Sequence, residues 1–135
     1  MNLKRCLLAG LAVFVVYFLA EFAVNGVLLA PIYKATASVW RGEEYMRKLM
    51  GFMTLGQLVF SFMFAFIYAK GHETGKGTVA QGLRFGFLSG LLLAPMTGLV
   101  WYVVLPIPEI LAFGWFATGM IECLLIGAVA GAVYR

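Results

Sequence analysis

The chain contains no aspartate, one histidine and few charges of either sign. Charged residues make up 12% of its 135 residues, roughly half the share found in soluble domains. The single histidine, His72, stands in a polar loop, which excludes haem ligation by paired histidines within this chain. No group of His, Cys and carboxylate residues has metal-site spacing. We therefore predict neither a cofactor nor a metal site.

Sequence motifs for catalysis are also missing. No serine stands in a nucleophile motif, and Gly75-Lys-Gly77 lacks the length and the preceding strand of a phosphate-binding loop. The basic residues lie near segment ends and form no basic cluster interleaved with aromatics, which argues against nucleic acid as a partner. The two cysteines, Cys6 and Cys123, are expected at different depths and unbridged. We predict that the protein is not an enzyme.

Apolar residues, by contrast, are abundant: they make up 63% of the chain. A soluble domain of this length could not bury so much apolar surface. Four stretches carry almost no charge, and each exceeds the roughly 20 residues that a helix needs to cross about 30 Å of hydrocarbon. The stretches are residues 6–33, 49–69, 85–108 and 110–134, with Glu21 and Glu122 as their only charges.

These stretches predict an all-α, polytopic membrane protein, with four transmembrane helices in one antiparallel bundle formed by the single domain 1–135. The N-terminal apolar run is too long for a signal peptide and lacks a clear cleavage site, so we expect an uncleaved first helix. Pro106 and Pro108 predict a tight hairpin between the last two helices. The four helices are placed at about 6–30, 43–70, 80–105 and 108–134.

The distribution of positive charge predicts that both termini face the cytoplasm. The membrane that we expect is a bacterial inner membrane. Six basic residues fall on the side of the termini and four on the other side. Tyr33, Trp40 and Tyr45 in and after the first loop are typical of the headgroup region. The six are Lys4, Arg5, Lys70, Lys76, Arg84 and Arg135, and the four are Lys34, Arg41, Arg47 and Lys48.

Small residues recur every four positions on the last two predicted helices. Such stripes form grooves that allow another helix to approach closely. Either the two grooves face each other within the chain, or one of them receives a partner subunit. Pro95 in mid-helix is expected to kink the third helix or to free a carbonyl there. The stripes are Gly82, Gly86, Gly90, Ala94 and Gly98 on helix three, and Gly119, Cys123, Gly127 and Gly131 on helix four.

Polar residues within the predicted helices fall near one depth. At 1.5 Å per residue, Glu122 lies within about 6 Å of the level of Glu21. Charges inside lipid cost roughly 2.5–3.5 kcal/mol on insertion scales, so each needs a reason. The predicted polar layer consists of Glu21, Asn25, Gln57, Thr97, Thr118 and Glu122.

Two interpretations of this layer remain open. No Lys, Arg or His lies at this depth to neutralise the carboxyls. A protonated carboxyl hydrogen-bonded to Gln57 or Asn25 would be a structural clasp that sets helix register. Alternatively, Glu21 and Glu122 together form a proton or cation site.

Two resemblances add expectations. The chain resembles small bacterial four-helix membrane proteins of unknown function. The likeness lies in a first helix that leads into Leu29-Ala-Pro-Ile-Tyr33 and then Trp40-Arg41. This resemblance implies the four-helix fold and does not imply an activity. Leu19-Ala20-Glu21 resembles the helix-one glutamate segment of the small multidrug-resistance exporters, which exchange protons for cations. The long charged first loop and the additional Glu122 depart from that family, so only Glu21 maps onto it.

The sequence therefore favours a non-enzymatic structural or accessory component of a membrane assembly. The expected partners are membrane lipids and either other membrane subunits or further copies of the chain. Four helices alone are expected to hold scarcely any aqueous cavity. The alternative is a homo-oligomeric, proton-coupled carrier or channel for a small cation that uses Glu21 and Glu122.

Overall fold

The computed structural model describes all 135 residues, and helices account for every regular element. Four helical spans are long and apolar enough to cross a membrane, which confirms the all-α, four-helix fold class. We call them the first to fourth spans in chain order. Their bounds are Leu3–Leu28, Glu43–Gly71, Thr78–Val104 and Glu109–Val133.

The first and third spans are not α-helical throughout. The first is an α-helix over Leu3–Ala23 that continues as a π-helical turn over Val24–Leu28. Its start is three residues earlier than predicted, because the Asn2 side chain caps it by accepting from the Arg5 N–H at 3.1 Å. A short helix, Ala30–Ala35, and a 3-10 turn, Ala37–Val39, then lead to the second span.

Pro95 marks the irregular point of the third span. The α-helix Thr78–Pro95 changes there into a π-helical turn, Met96–Val100, before a last α-helical turn, Trp101–Val104. Proline has no N–H to donate to the carbonyl one turn before it, so regular α-helical bonding is interrupted at this position.

The spans pack in the order second, first, fourth, third across the bundle. The first span contacts both the second and the fourth, and the third packs along the fourth. The second and third spans meet through aromatic rings near their connecting loop, where the centroids of Phe64 and Phe85 are 4.7 Å apart. The first and fourth spans therefore form the centre of the bundle.

The two stripes of small residues face each other. A methyl group added at Gly82 or Gly86 would overlap the backbone carbonyls of Gly127 and Cys123, and one at Gly98 would lie 2.9 Å from the Ala112 carbonyl oxygen. Contacts run from Gly82 opposite Gly127 to Gly98 opposite Ala112, so the two spans are antiparallel. Within the chain, each groove is filled by the other span.

Most apolar residues lie on the outside of the bundle. Only 25 of 135 residues are buried, and the spans bury 17–33% of their most apolar segments inside the protein. So large an exposed apolar surface is unfavourable in water, whereas the hydrocarbon of a bilayer covers it without cost. The length and surface of the four helices are those of a multi-pass membrane protein.

The two chain ends and His72 come together at one end of the bundle. The Asn2 N–H donates to the Tyr134 hydroxyl at 3.1 Å, and the Arg5 guanidinium donates to the Arg135 carbonyl. His72, which follows the second span, packs half-buried against the Tyr134 ring, with the two ring centroids 5.3 Å apart. This aromatic packing closes the end of the bundle opposite to the first and third loops.

Candidate functional site

A cavity of about 550 Å³ lies among the first, third and fourth spans. A cavity of this size was not predicted from the sequence. The second span contributes a single lining side chain, the ring of Phe60. Five of the six residues of the predicted polar layer line this cavity: Glu21, Asn25, Thr97, Thr118 and Glu122.

Glu21 is held by donors from its own helix. The Tyr17 hydroxyl donates to Oε1 at 3.0 Å, and the Asn25 side-chain amide donates to Oε2 at 2.6 Å. All three lie on one helix face because four residues make about one turn. A glutamate carboxyl can accept on both oxygens, so these two donors fix the orientation of the Glu21 side chain.

Asn25 is itself oriented from the first loop. The Tyr33 hydroxyl donates to Asn25 Oδ1 at 2.7 Å, and the Trp115 indole N–H donates to the Tyr33 hydroxyl oxygen at 2.6 Å. Burial raises the pKa of Tyr33, so this hydroxyl keeps its proton and remains a donor at neutral pH. Glu21, Asn25, Tyr33 and Trp115 thus form one continuous hydrogen-bonded chain.

The sequence did not predict what the loop aromatics contact. Tyr33 and Trp40, which we expected in the headgroup region, both pack against Trp115 of the fourth span. The Trp40 ring centroid lies 5.5 Å from that of Tyr33 and 6.1 Å from that of Trp115. The only signal in the sequence was the concentration of aromatics around Pro31, which says nothing of the direction of the loop.

Glu122 differs from Glu21 in having no donor. Its residue is 7% exposed, and its buried Oε1 has no hydrogen-bond partner in the protein. No Lys, Arg or His lines the cavity. A buried polar group without a partner costs roughly 1–3 kcal/mol, more for a charged one, and therefore calls for an explanation.

The threonines make the cavity richer in acceptors. The Thr97 hydroxyl donates to the Ala94 carbonyl at 3.1 Å, and the Thr118 hydroxyl donates to the Gly114 carbonyl at 2.7 Å. Because each hydroxyl proton is used within its own helix, only oxygen lone pairs remain for a ligand. The Tyr17, Asn25 and Trp115 donors are likewise engaged. A ligand that supplies hydrogen-bond donors or positive charge would match these acceptors.

Gln57 is the member of the predicted layer that the structure does not bring to the cavity. Its side chain makes no hydrogen bond to Glu21, and its buried Oε1 has no partner. Phe60, about one turn further along, takes the position facing the first span, with its ring centroid 5.1 Å from that of Tyr17. An aromatic pair thus occupies the place where the sequence predicted an amide.

The cavity opens sideways beside the third span. Leu93, Thr97 and Trp101 line it and are also exposed on the outer surface of the protein. All three belong to a membrane span, so this opening lies at the depth of the bilayer.

No group of three or more His, Cys, Asp or Glu residues is arranged to hold a metal ion. Comparisons of the chain with known protein families, curated proteins and solved structures give no match.

Proposed function

We propose that the protein is a proton-coupled carrier for a small cation, with Glu21 and Glu122 as its binding pair. The observation that carries this proposal is the Glu122 carboxyl, which faces a cavity containing a second carboxyl and no basic residue. A proton on Glu122 would remove the cost of a buried charge, and a bound cation would supply the partner that this carboxyl lacks.

The two carboxyls have different roles in this proposal. Glu21, which accepts from Tyr17 and Asn25, provides a constant negative charge. Glu122, which has no donor, holds either a proton or the cation. Release of one proton for each monovalent cation bound leaves the net charge of the site unchanged, and thereby avoids the cost of added charge in the membrane.

The ligand is expected to be a monovalent cation that donates hydrogen bonds or contacts aromatic faces. The cavity offers carboxylate and hydroxyl acceptors, and aromatic rings including Tyr17 and Phe60 line its walls. Aromatic faces attract cations within about 6 Å, most strongly where water is excluded.

Cation-dependent proton release from liposomes tests the proposal. The purified protein is reconstituted with a pH-sensitive dye inside, and sodium, methylammonium or tetramethylammonium is added outside. Wild-type protein should release protons with at least one of these cations. Glu122→Gln and Glu21→Gln should both abolish proton release, and both variants should elute from size exclusion as folded protein.

The matched control is Glu44→Gln, because the Glu44 carboxylate forms an exposed ion pair with Lys48 at 3.0 Å and lies away from the cavity. Release that is equal in wild type and both cavity variants would refute the proposal.

A structural or accessory role in a membrane assembly is the second candidate. The observation that favours it is the opening of the cavity beside the third span, which a helix of another subunit would close. Native mass spectrometry of protein extracted in mild detergent from its host separates the two candidates. A stoichiometric foreign subunit, together with no proton release in liposomes, would establish the accessory role. A homo-oligomer that releases protons would establish the carrier.

We further propose that the protein is not an enzyme, and that it resides in a bacterial inner membrane with both termini in the cytoplasm. The six-to-four distribution of basic residues supports this orientation. Reporter fusions to each terminus and to the second loop test it. Activity of a periplasm-specific reporter at either terminus would contradict it.

A further inference from the structure

A second groove, of about 230 Å³, lies between the loop-proximal ends of the second and third spans. Its apolar walls include Ile67 and Leu88, which are 53% and 56% exposed. The rings of Tyr68 and Phe85, with centroids 5.7 Å apart, line it between these walls. The groove therefore presents an apolar slot that continues from the loop into the depth of the membrane.

The polar end of this groove is built by a fixed loop. The Gln81 side-chain amide donates to the carbonyls of Glu73 and Lys76 at 2.9 and 3.2 Å. Its oxygen accepts from the Glu73 N–H at 2.9 Å. Gly75 makes the turn with a φ of +83°, a conformation that glycine adopts without strain. These bonds hold Lys76 beside the groove.

The charge at this end is positive and incompletely paired. Glu73 forms an ion pair with Lys76, whereas Arg84, which also lines the groove, has no carboxylate within ion-pair distance. Arg84 lies six residues into the third span, about 9 Å from its start, and a long basic side chain at this depth extends to the headgroups. The planar arginine fork suits a phosphate group, which it can bind through two hydrogen bonds.

We propose that this groove binds one anionic phospholipid. The phosphate contacts Arg84 and the rim at Lys76, and an acyl chain lies in the slot between Ile67 and Leu88. Charge complementarity selects an anionic headgroup. The exposed apolar walls select a lipid over a soluble phosphate ester, because the latter would leave them uncovered.

Lipid binding to the full chain in detergent tests this site. Phosphatidylglycerol or phosphatidylcholine with identical acyl chains is titrated in, and native mass spectrometry measures the first lipid bound. Wild type should bind phosphatidylglycerol about fivefold more tightly than phosphatidylcholine for each basic residue engaged. Arg84→Gln should reduce this preference about fivefold. Arg47→Gln, at the opposite end of the second span, is the control and should leave it unchanged.

Two further measurements separate lipid from other outcomes. Arg84→Lys keeps the positive charge and loses the planar fork, so a folded variant with intermediate preference is expected even if Arg84→Gln fails to fold. Glycerol phosphate, added as a soluble competitor, should not displace the lipid. Displacement by glycerol phosphate at equal concentration would show a free phosphate site and overturn the proposal. Equal retention of the two lipids by wild type, or a preference unchanged in both Arg84 variants, would also overturn it.

Discussion

The indole N–H of Trp115 donates to the Tyr33 hydroxyl at 2.6 Å and so joins the fourth span to the first loop. The same hydroxyl donates to Asn25, which in turn donates to Glu21. Tyr33 of the first loop therefore orients the Asn25 amide, and this amide holds the Glu21 carboxyl of the cavity.

Tyr33→Phe should lower the free energy of unfolding by about 1 kcal/mol, because it removes one donor and leaves the Trp115 N–H without its acceptor. Denaturant titration in detergent micelles measures this change. Tyr45→Phe is the control, since Tyr45 is 53% exposed, and it should change the free energy by less than about 0.5 kcal/mol. Equal stability of the two variants would contradict the hydrogen-bonded chain.

Gly86→Ala should destabilise the protein by at least about 2 kcal/mol, because the added methyl group would overlap the Cys123 carbonyl of the fourth span. Gly51→Ala, in the second span, is the matched control, because nothing lies within 4 Å of the new methyl group. It should be neutral or mildly stabilising, as alanine has the higher helix propensity. Unfolding in micelles, measured side by side, checks both. Similar losses at the two glycines would refute close packing at Gly86.

Glu73 should titrate below the ordinary range of a glutamate. The Lys76 hydrogen bond and charge lower the pKa of Glu73, which is exposed. The contribution of the pair to loop order is therefore present above the unfolded-state pKa and is lost as the pH falls through the lowered folded-state pKa. NMR titration of the side-chain carboxyl carbon measures the midpoint. Lys76→Met should raise it towards the usual value, and an identical midpoint in the variant would contradict the pairing.

Cys123 should react faster than Cys6 with a small membrane-permeant alkylating reagent. Both thiols are free and buried, but only Cys123 lines the large cavity. Cys6 packs instead within the apolar core at the other end of the bundle. Single-cysteine variants, Cys6→Ala and Cys123→Ala, allow the two rates to be compared by mass spectrometry. Equal rates would indicate that reagents do not reach the cavity.

Local sequence patterns were enough to predict where the four spans lie and which polar residues share a helix face. Runs without charge located the membrane helices, and the i,i+4 spacing of Tyr17, Glu21 and Asn25 placed them on one face. Such patterns depend only on helix geometry and on the cost of charge in lipid. The facing stripes around Gly86 and Gly127 were one of two open alternatives, and the short prolyl hairpin favours them.

Contacts that depend on how one helix is shifted along its neighbour, or on loop direction, were beyond the sequence. Gln57 was placed correctly within a helix, but Phe60 takes the position against Tyr17. The two residues are three positions apart and share a helix face, so the difference is one of level between the first and second spans, which depends on packing. The Tyr33 and Trp40 rings could not be placed because an irregular loop has no repeat from which to derive their direction.

The central position of the first and fourth spans has a consequence for biogenesis. The first span enters the membrane earliest, yet one of its two main neighbours is translated last. The chain can insert as two helical hairpins, and the cavity walls come from both. Neither hairpin alone brings Glu21 and Glu122 together, so the carboxyl pair is created only by lateral docking of the second hairpin onto the first. A ribosome stalled before Glu109 would therefore leave an inserted chain with half of the site.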